Sequence, residues 1–435
     1  MLLESTIELI GVALTPVLVV GIFLRPQILL WYLVLDSWVV IRISQISIFI
    51  PALTFNRIMV FVGIIVLVMQ KVGARKKAPP SLFTLPSLIM FFFIFYCLFS
   101  YYSYAHSINT LLLNNLIFFV LCLFLIESKK NNEVLATVSI IATIVAFLLG
   151  GSTLANILIN MDLAQRSIAG NRNQTGVYLI LCLSFLIPYR MSLGRSQLLA
   201  RLTVSLAIVV ASISVILGLG RMTTFAFIVI MSYFIFRGYI SKTTIVVSLF
   251  IILLVGLLHG DFLVSFSEKL LRLPSASIEK LDDQQLGALT SGRNVLYEQA
   301  WKLYQGNTLF GAGFDKWVYV QEARFGRSTS LHSRWLQILI ETGVLGIALY
   351  GSLYFFSFGS LGKRSGSRLL RDALGAGLFV FFVAGITDNH GFNDRIFYFI
   401  VALIADFSTK RKIPNIRVST QHLLKGAYMD NPRPR

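Results

Sequence analysis

The chain has 435 residues, of which 56% are hydrophobic and 13% charged, and its formal net charge is +18. A soluble globular protein has about 25% charged residues, so the mean hydropathy of +0.76 excludes an ordinary soluble domain and indicates a polytopic membrane protein. The apolar runs approach the length of about 20 residues that a membrane-spanning helix needs, which predicts an all-α bundle rather than a barrel.

The apolar runs predict twelve or thirteen membrane spans. They lie at about residues 7–24, 28–49, 53–70, 82–104, 108–126, 134–152, 173–189, 202–218, 222–236, 243–259, 335–357, 372–388 and 394–407. We therefore divide the chain into a transmembrane bundle (1–259), a loop (260–332), C-terminal transmembrane helices (333–407) and a basic cytoplasmic tail (408–435). Twelve and thirteen spans place the N-terminus on opposite sides of the membrane, and the sequence leaves that choice open.

The basic residues predict the orientation of these spans. Lysine and arginine cluster in connections that are separated from one another by an even number of spans. These clusters lie at residues 71–77, 129–130, 190–201, 237–242, 363–371 and from 410 onwards. This is the positive-inside pattern, which assigns the clusters to the cytoplasm and the intervening connections to the other side. Topology and attraction to anionic lipid account for the basic charge, so we expect no nucleic-acid partner.

The segment at 261–331 is the largest interruption of the apolar pattern and lies opposite to the basic clusters. Ser291 is a candidate N-cap for a helix that runs to about Tyr304. Gly311-Ala312-Gly313 predicts a tight turn. We therefore expect one large helical loop, on the periplasmic side in a bacterial cell, at which polar groups converge.

Three arginines stand out on this outer side, because the positive-inside pattern argues against scattered basic residues there. Arg172 precedes one span, Arg221 opens another, and Arg293 lies at a predicted helix start. Their guanidinium groups either contact lipid phosphates and carboxylates at the interface or form a clamp that binds a diphosphate bidentately. The residue pattern alone leaves both interpretations open.

His332 is the histidine at the junction of the large loop and the next span. A single histidine is more often structural than catalytic, so its position alone leaves both roles open. Asp388 and Asn389, at the outer end of a late span, either line the same cavity or cap that helix. The sequence contains no P-loop, no glycine-rich dinucleotide turn, no zinc-ligand spacing and, in the outer loops, no Asp-x-Asp pair. We therefore expect no cofactor and no metal site.

Two stretches of the chain resemble the motifs of a known superfamily. Residues 332–346 fit the pattern H-[NSQ]-x9-G-x-x-[GTY], which is typical of O-antigen ligases and of the related O-antigen and exopolysaccharide polymerases. Upstream, Ser291-Gly292-Arg293, Trp301 and residues 309–313 resemble a second signature of these proteins. The resemblance covers residues 165–390 and does not separate a ligase from a polymerase.

This resemblance implies a metal-independent, inverting glycosyltransferase of the GT-C type in the bacterial inner membrane, with its active site facing the periplasm. The donor would be a glycan on undecaprenyl diphosphate. The acceptor would be lipid A–core in a ligase, or another lipid-linked glycan in a polymerase. His332 would be the general base, Arg221 and Arg293 would bind the diphosphate, and Arg172 is a further candidate. Arg334, next to the histidine, would favour its neutral form or bind phosphate itself.

A transporter of an anionic substrate is the alternative from another class. Transporters usually keep their polar groups near the middle of the bilayer, in broken helices. The candidate groups of this chain collect at one face instead, so the sequence favours an enzyme surrounded by membrane lipids.

Overall fold

The computed structural model describes residues 29, 32, 62, 64–65, 80–127, 129–160, 172–218, 221–240, 293–325, 331–362, 367–387 and 394–410. These residues form helices and contain no strand, as the sequence predicted. Six helices in this part of the chain are long and apolar enough to cross a membrane. The spans predicted at 7–24, 28–49, 53–70 and 243–259 lie outside the described residues, apart from a few isolated positions.

The helices of the described part are numbered here in chain order. They are α1 (Leu85–Ala105), α2 (Thr110–Ile126), α3 (Asn131–Val145), α4 (Gly151–Asn160), α5 (Arg172–Ser192), α6 (Leu198–Leu217), α7 (Arg221–Phe236), α8 (Arg293–Tyr304), α9 (Lys316–Phe325), α10 (Arg334–Gly362), α11 (Arg368–Thr387) and α12 (Arg395–Thr409). A 3₁₀ turn at Pro80–Phe83 precedes α1, and a π-helical turn at Ala146–Gly150 joins α3 to α4. Each span predicted within the described residues coincides with a helix, and α8 confirms the helix predicted in the large loop. α9 is a further helix with no counterpart among the predicted ones.

Local signals set the ends of several helices. In α2, the side-chain oxygen of Asn109 accepts hydrogen bonds from the N–H groups of Leu111 and Leu112, both at 3.1 Å. This cap satisfies two of the N–H groups that a helix start leaves without partners. α1 has Pro86 in its first turn, where the missing N–H is not needed, and ends at His106 in the left-handed conformation.

Two of the described helices, α5 and α12, are central to the part of the bundle that they form. α5 packs against α3, α6, α7 and α11, and α12 packs against α1, α2, α10 and α11. Every residue of α12 from 396 to 407 is buried. A Cβ on Gly377 of α11 would lie 3.1 Å from Ile400 of α12, so this glycine allows the two helices to approach closely. Small residues of this kind favour the van der Waals packing that holds helices together in lipid.

Contacts between helix termini show which ends lie together. The starts of α5 and α7 touch, since a Cβ on Gly176 would lie 2.6 Å from Cγ2 of Thr223. The start of α12 is tied to α5, because the hydroxyl of Tyr178 donates a hydrogen bond to Asp394 at 3.2 Å. At the start of α10, the indole N–H of Trp335 donates to a carbonyl near the end of α11 at 3.3 Å. One end of the bundle therefore holds the starts of α5, α7, α10 and α12. The positive-inside pattern predicts that this is the outer end.

Candidate functional site

His332 lies where the large loop enters α10. Its backbone is left-handed, with φ of 52°, a conformation that histidine, asparagine and aspartate adopt more readily than other non-glycine residues. Ser333 caps the helix, since its hydroxyl oxygen accepts a hydrogen bond from the N–H of Leu336 at 3.3 Å. His332 is partly exposed although Leu331 and Ser333 on either side are buried. The histidine is therefore held in a defined backbone conformation and remains accessible.

Eleven positions further on, α10 is broken at Gly343, where φ is 69° and ψ is −165°. The break leaves backbone N–H and C=O groups without partners inside the helix, and residues 308–313 of the loop supply those partners. Four backbone hydrogen bonds join the two segments: Ala312 N–H to Ile340 O (2.8 Å), Gly313 N–H to Glu341 O (2.9 Å), Val344 N–H to Thr308 O (3.0 Å) and Leu345 N–H to Leu309 O (3.3 Å). Residues 308–313 therefore hydrogen-bond to α10 on both sides of the break, and this contact is called the joint.

Glycine is required on both sides of this joint. Gly311 has φ of 76°, and a Cβ on it would lie 2.5 Å from the backbone nitrogen of Gly343. A Cβ on Gly343 would overlap the carbonyl oxygen of Leu309 and lie 2.5 Å from the nitrogen of Gly311. These neighbours are backbone atoms, which cannot move aside as the tip of a side chain can. The glycines of the two recognised motifs are therefore the residues through which loop and helix touch.

α1 binds the same loop from another side. Tyr96, Ser100 and Tyr104 are four residues apart and share one face of this helix. Tyr96 donates a hydrogen bond to the carbonyl of Thr342 at 2.8 Å, and Tyr104 donates to the carbonyl of Phe314 at 2.7 Å. Ser100 accepts from the N–H of Phe314 at 3.1 Å. Hydropathy identified α1 only as a span, so this hydrogen-bonding face is a finding of the structure.

A small apolar core attaches the loop helices to α10. Ala300 of α8, Trp317 of α9, Leu331 and Ile340 are at most 1% exposed and belong to one cluster. Leu331 immediately precedes the candidate histidine, so the packing of α8 and α9 fixes the chain at that point. The same core anchors α8, whose first residue is Arg293.

Polar side chains are buried next to the joint. Arg334 is 2% exposed and Glu341 is fully buried, and the amide of Gln337 donates to Glu341 at 2.9 Å. The charge of Arg334 acts on both Glu341 and Asp315. Burial raises the pKa of Asp315, and the nearby Arg334 partly opposes that rise. Arg334 is therefore a buried cation near a buried and a partly buried carboxyl group, and removing one partner of such a set is strongly destabilising.

The candidate arginines lie at helix starts. Arg172, Arg221 and Arg293 are the first residues of α5, α7 and α8. Because Gly176 brings the first turns of α5 and α7 into contact, the backbones of Arg172 and Arg221 lie at neighbouring N-termini. A helix N-terminus carries partial positive charge and free N–H groups, so two such termini side by side favour an anion.

Three acidic residues were not among the predicted site residues. Glu341 could have been identified from the sequence, because a carboxyl group inside an apolar span is a functional candidate by default. Asp315 and Asp394 lie in short connections, where acidic residues are common, so only tertiary contacts distinguish them. Asp388 and Asn389, predicted to line the site, lie outside the described residues.

One protein-family model matches part of the chain. The family model for O-antigen ligase (Wzy_C) matches residues 206–351, about a third of the chain. The matched segment contains Arg221, Arg293, His332 and both glycines of the joint, whereas Arg172 lies before it. No curated protein matches the chain. The family match points to a membrane glycosyltransferase of the ligase or polymerase type.

Proposed function

We propose that this protein transfers a glycan from undecaprenyl diphosphate to a sugar hydroxyl of lipid A–core, on the periplasmic side of the bacterial inner membrane. The joint between the loop and α10 carries the proposal. Four backbone hydrogen bonds tie residues 308–313 to α10, and the adjoining apolar core holds Leu331, the residue before His332. The O-antigen ligase model matches the same residues, which supports a glycan transferase of the ligase or polymerase type.

His332 is the proposed general base. Histidine ordinarily titrates near neutral pH, so its neutral imidazole can accept the proton of a sugar hydroxyl as that hydroxyl attacks the anomeric carbon. The hydroxyl oxygen forms the new glycosidic bond, and the bond between the anomeric carbon and the diphosphate breaks. Attack opposite the leaving diphosphate inverts the anomeric configuration. A positioned base typically contributes about 10²–10⁴-fold to the rate.

Arg221 and Arg293 are the proposed diphosphate ligands, with Arg172 as a third. The leaving diphosphate gains negative charge in the transition state, and guanidinium groups stabilise that charge through bidentate hydrogen bonds. They would supply the positive charge that a metal ion supplies in other glycosyltransferases. The neighbouring N-termini of α5 and α7 support this assignment for Arg172 and Arg221.

The broken helix bears on the transporter alternative, because broken helices are common at transporter substrate sites. In α10 the break is occupied by residues 308–313 of the same chain, which hydrogen-bond to both halves of the helix. The backbone groups at the break therefore bind the loop of the same chain and support the neighbouring site. Since they are not left for a transported substrate, this favours the enzyme over the transporter.

The substitution His332→Asn tests the base directly. Asparagine tolerates the left-handed backbone, so the imidazole is removed while the loop conformation is kept. We expect at least a hundredfold loss of glycan transfer, measured on lipopolysaccharide gels, with a normal amount of protein in the membrane. His106→Asn is the matched control, since His106 is also left-handed, with φ of 50°, and lies outside the matched segment. Near-normal transfer by the His332 variant, or an equal loss in the control, would overturn the assignment.

The acceptor is tested by deleting the gene and separating lipopolysaccharide on a gel. Bare core with polymer accumulated on undecaprenyl diphosphate supports the proposed ligase. Core that carries one repeat unit would indicate that the protein is an O-antigen polymerase instead. Unchanged lipopolysaccharide with loss of a secreted polymer would indicate that the protein is an exopolysaccharide polymerase.

A further inference from the structure

The opposite end of the bundle carries a charge cluster that the proposed reaction does not use. Asp372 of α11 is 1% exposed and accepts hydrogen bonds from Nε of Arg237 at 3.0 Å and from the hydroxyl of Tyr239 at 2.6 Å. Nε of Arg368 and Nε of Arg371 lie 3.8 and 3.5 Å from the same carboxylate. Among the described residues, one carboxylate faces three guanidinium groups, so this part of the cluster has an excess of positive charge.

A groove of about 380 Å³ begins at this cluster and runs between α7, α11 and the end of α10. Two sets of its lining residues recur every four positions, which places each set on one side of its helix. They are Val229 and Tyr233 on α7 with Arg237 directly after its end, and Arg371, Gly375 and Phe379 on α11. Eight helical residues rise about 12 Å, so the groove leads about that far from the arginines into the apolar part of the bundle.

Arg237 and Arg371 line the mouth of the groove, Arg368 lies beside them next to Asp372, and all three remain partly exposed. The side chains of Arg237 and Arg371 are 32% and 26% exposed, and that of Arg368 is 59% exposed. The positive-inside pattern assigns this end to the cytoplasm, where the lipid surface is anionic and basic pockets between membrane helices bind lipid head groups. The groove therefore combines a cationic mouth with an apolar interior at the level of the lipid head groups.

We propose that this groove binds an anionic glycerophospholipid of the cytoplasmic leaflet. Its phosphate contacts Arg371 and Arg368, and one acyl chain lies along the apolar wall. Arg237 is paired with Asp372 through two hydrogen bonds, so the other two arginines carry the excess charge. Guanidinium groups match phosphate geometry bidentately, which favours arginine over lysine at such a site. This inference rests on the predicted orientation and not on the proposed glycan transfer.

The head-group contact is tested on the full-length protein in neutral detergent. We expect phosphatidylglycerol, but not phosphatidylcholine with the same acyl chains, to raise the melting temperature and to remain bound in native mass spectrometry. The double variant Arg368→Gln/Arg371→Gln should lose at least about tenfold in affinity for phosphatidylglycerol. It keeps Arg237 as the partner of the buried carboxylate. The control Arg195→Gln/Arg201→Gln removes the same charge from the α5–α6 connection and the first turn of α6, and it should bind normally.

The acyl-chain contact is tested by filling the groove. A Cβ on Gly375 would lie 3.8 Å from Leu361, which is an ordinary contact, so Gly375→Leu should fold while its side chain occupies the groove. We expect this variant to lose phosphatidylglycerol binding although all three arginines remain. Equal stabilisation by phosphatidylcholine or by inorganic phosphate would overturn the proposal, as would normal binding by the double arginine variant. Normal binding by Gly375→Leu would overturn the placement of the acyl chain.

Discussion

Gly343→Ala should release the loop from α10. Alanine at φ of 69° and ψ of −165° would occupy a backbone region that is essentially confined to glycine. That strain costs about 1–3 kcal/mol. Its Cβ would also lie 2.5 Å from the nitrogen of Gly311 and overlap the carbonyl of Leu309. Because both neighbours belong to the loop backbone, the clash is relieved only when the loop withdraws.

The four hydrogen bonds of the joint limit the size of the effect. Each contributes about 1 kcal/mol net, so withdrawal of the loop costs about 4 kcal/mol. If the strain and clash in the docked state exceed this value, the loop undocks and the strain is relieved. The four bonds favour the docked state by about a thousandfold. Strain and clash that together exceed about 4 kcal/mol reverse this preference, so we expect the docked fraction to become small. Since the docked loop positions His332, glycan transfer should fall with it.

Two measurements follow the loop and the activity separately. Glycan transfer is read from lipopolysaccharide gels, and undocking from faster tryptic cleavage after Lys302 in spheroplasts. Gly359→Ala is the matched control. Gly359 lies in the same helix, and a Cβ on it would meet no atom within 4 Å. Normal transfer and normal protection in Gly343→Ala, or equal damage in Gly359→Ala, would refute this role of the Gly343 backbone.

Three further substitutions probe the supports of the site. Tyr104→Phe removes a hydrogen bond of 2.7 Å to the loop and should cost about 1 kcal/mol, seen as about fivefold faster loop cleavage; unchanged cleavage would contradict this. Burial raises the pKa of Asp315 above 3.8, so the folded protein holds this proton more tightly and stability falls as pH rises through that window. Asp315→Asn should therefore flatten the dependence of melting temperature on pH between about 4 and the raised pKa, and an unaltered slope would exclude this contribution. Gly176→Ala places a methyl group against Thr223 and should cost about 1–3 kcal/mol through overpacking, whereas Gly151→Ala meets nothing within 4 Å and should leave the melting temperature unchanged.

The helical architecture was predictable because a long apolar run has few structures available in a bilayer other than a helix. The predicted boundaries were less accurate where polar residues continue a helix beyond its apolar part. α11 begins at Arg368, four residues before the predicted span at 372–388. Its first turn therefore presents Arg368 and Arg371 beside Asp372, which the hydropathy profile could not show.

The candidate site was predictable only in part. Gly311 and Gly313 have φ of 76° and 116°, which confirms the predicted turn. His332 lies at the start of α10, where the sequence placed it. The break at Gly343 could not be inferred, because a helix interior and a helix break have the same hydropathy when glycine is flanked by apolar residues.

By itself, the sequence determined the class of the protein, the sites of most helices and the motifs that resemble those of glycan transferases. Only the tertiary structure decided that two of those motifs meet, with residues 308–313 filling the break at Gly343. It also brought Tyr96 to the carbonyl of Thr342, 246 residues away in the chain. The physical reason is that hydropathy is a property of each segment alone. The backbone groups released by a broken helix, in contrast, are satisfied by whichever distant segment packs against them.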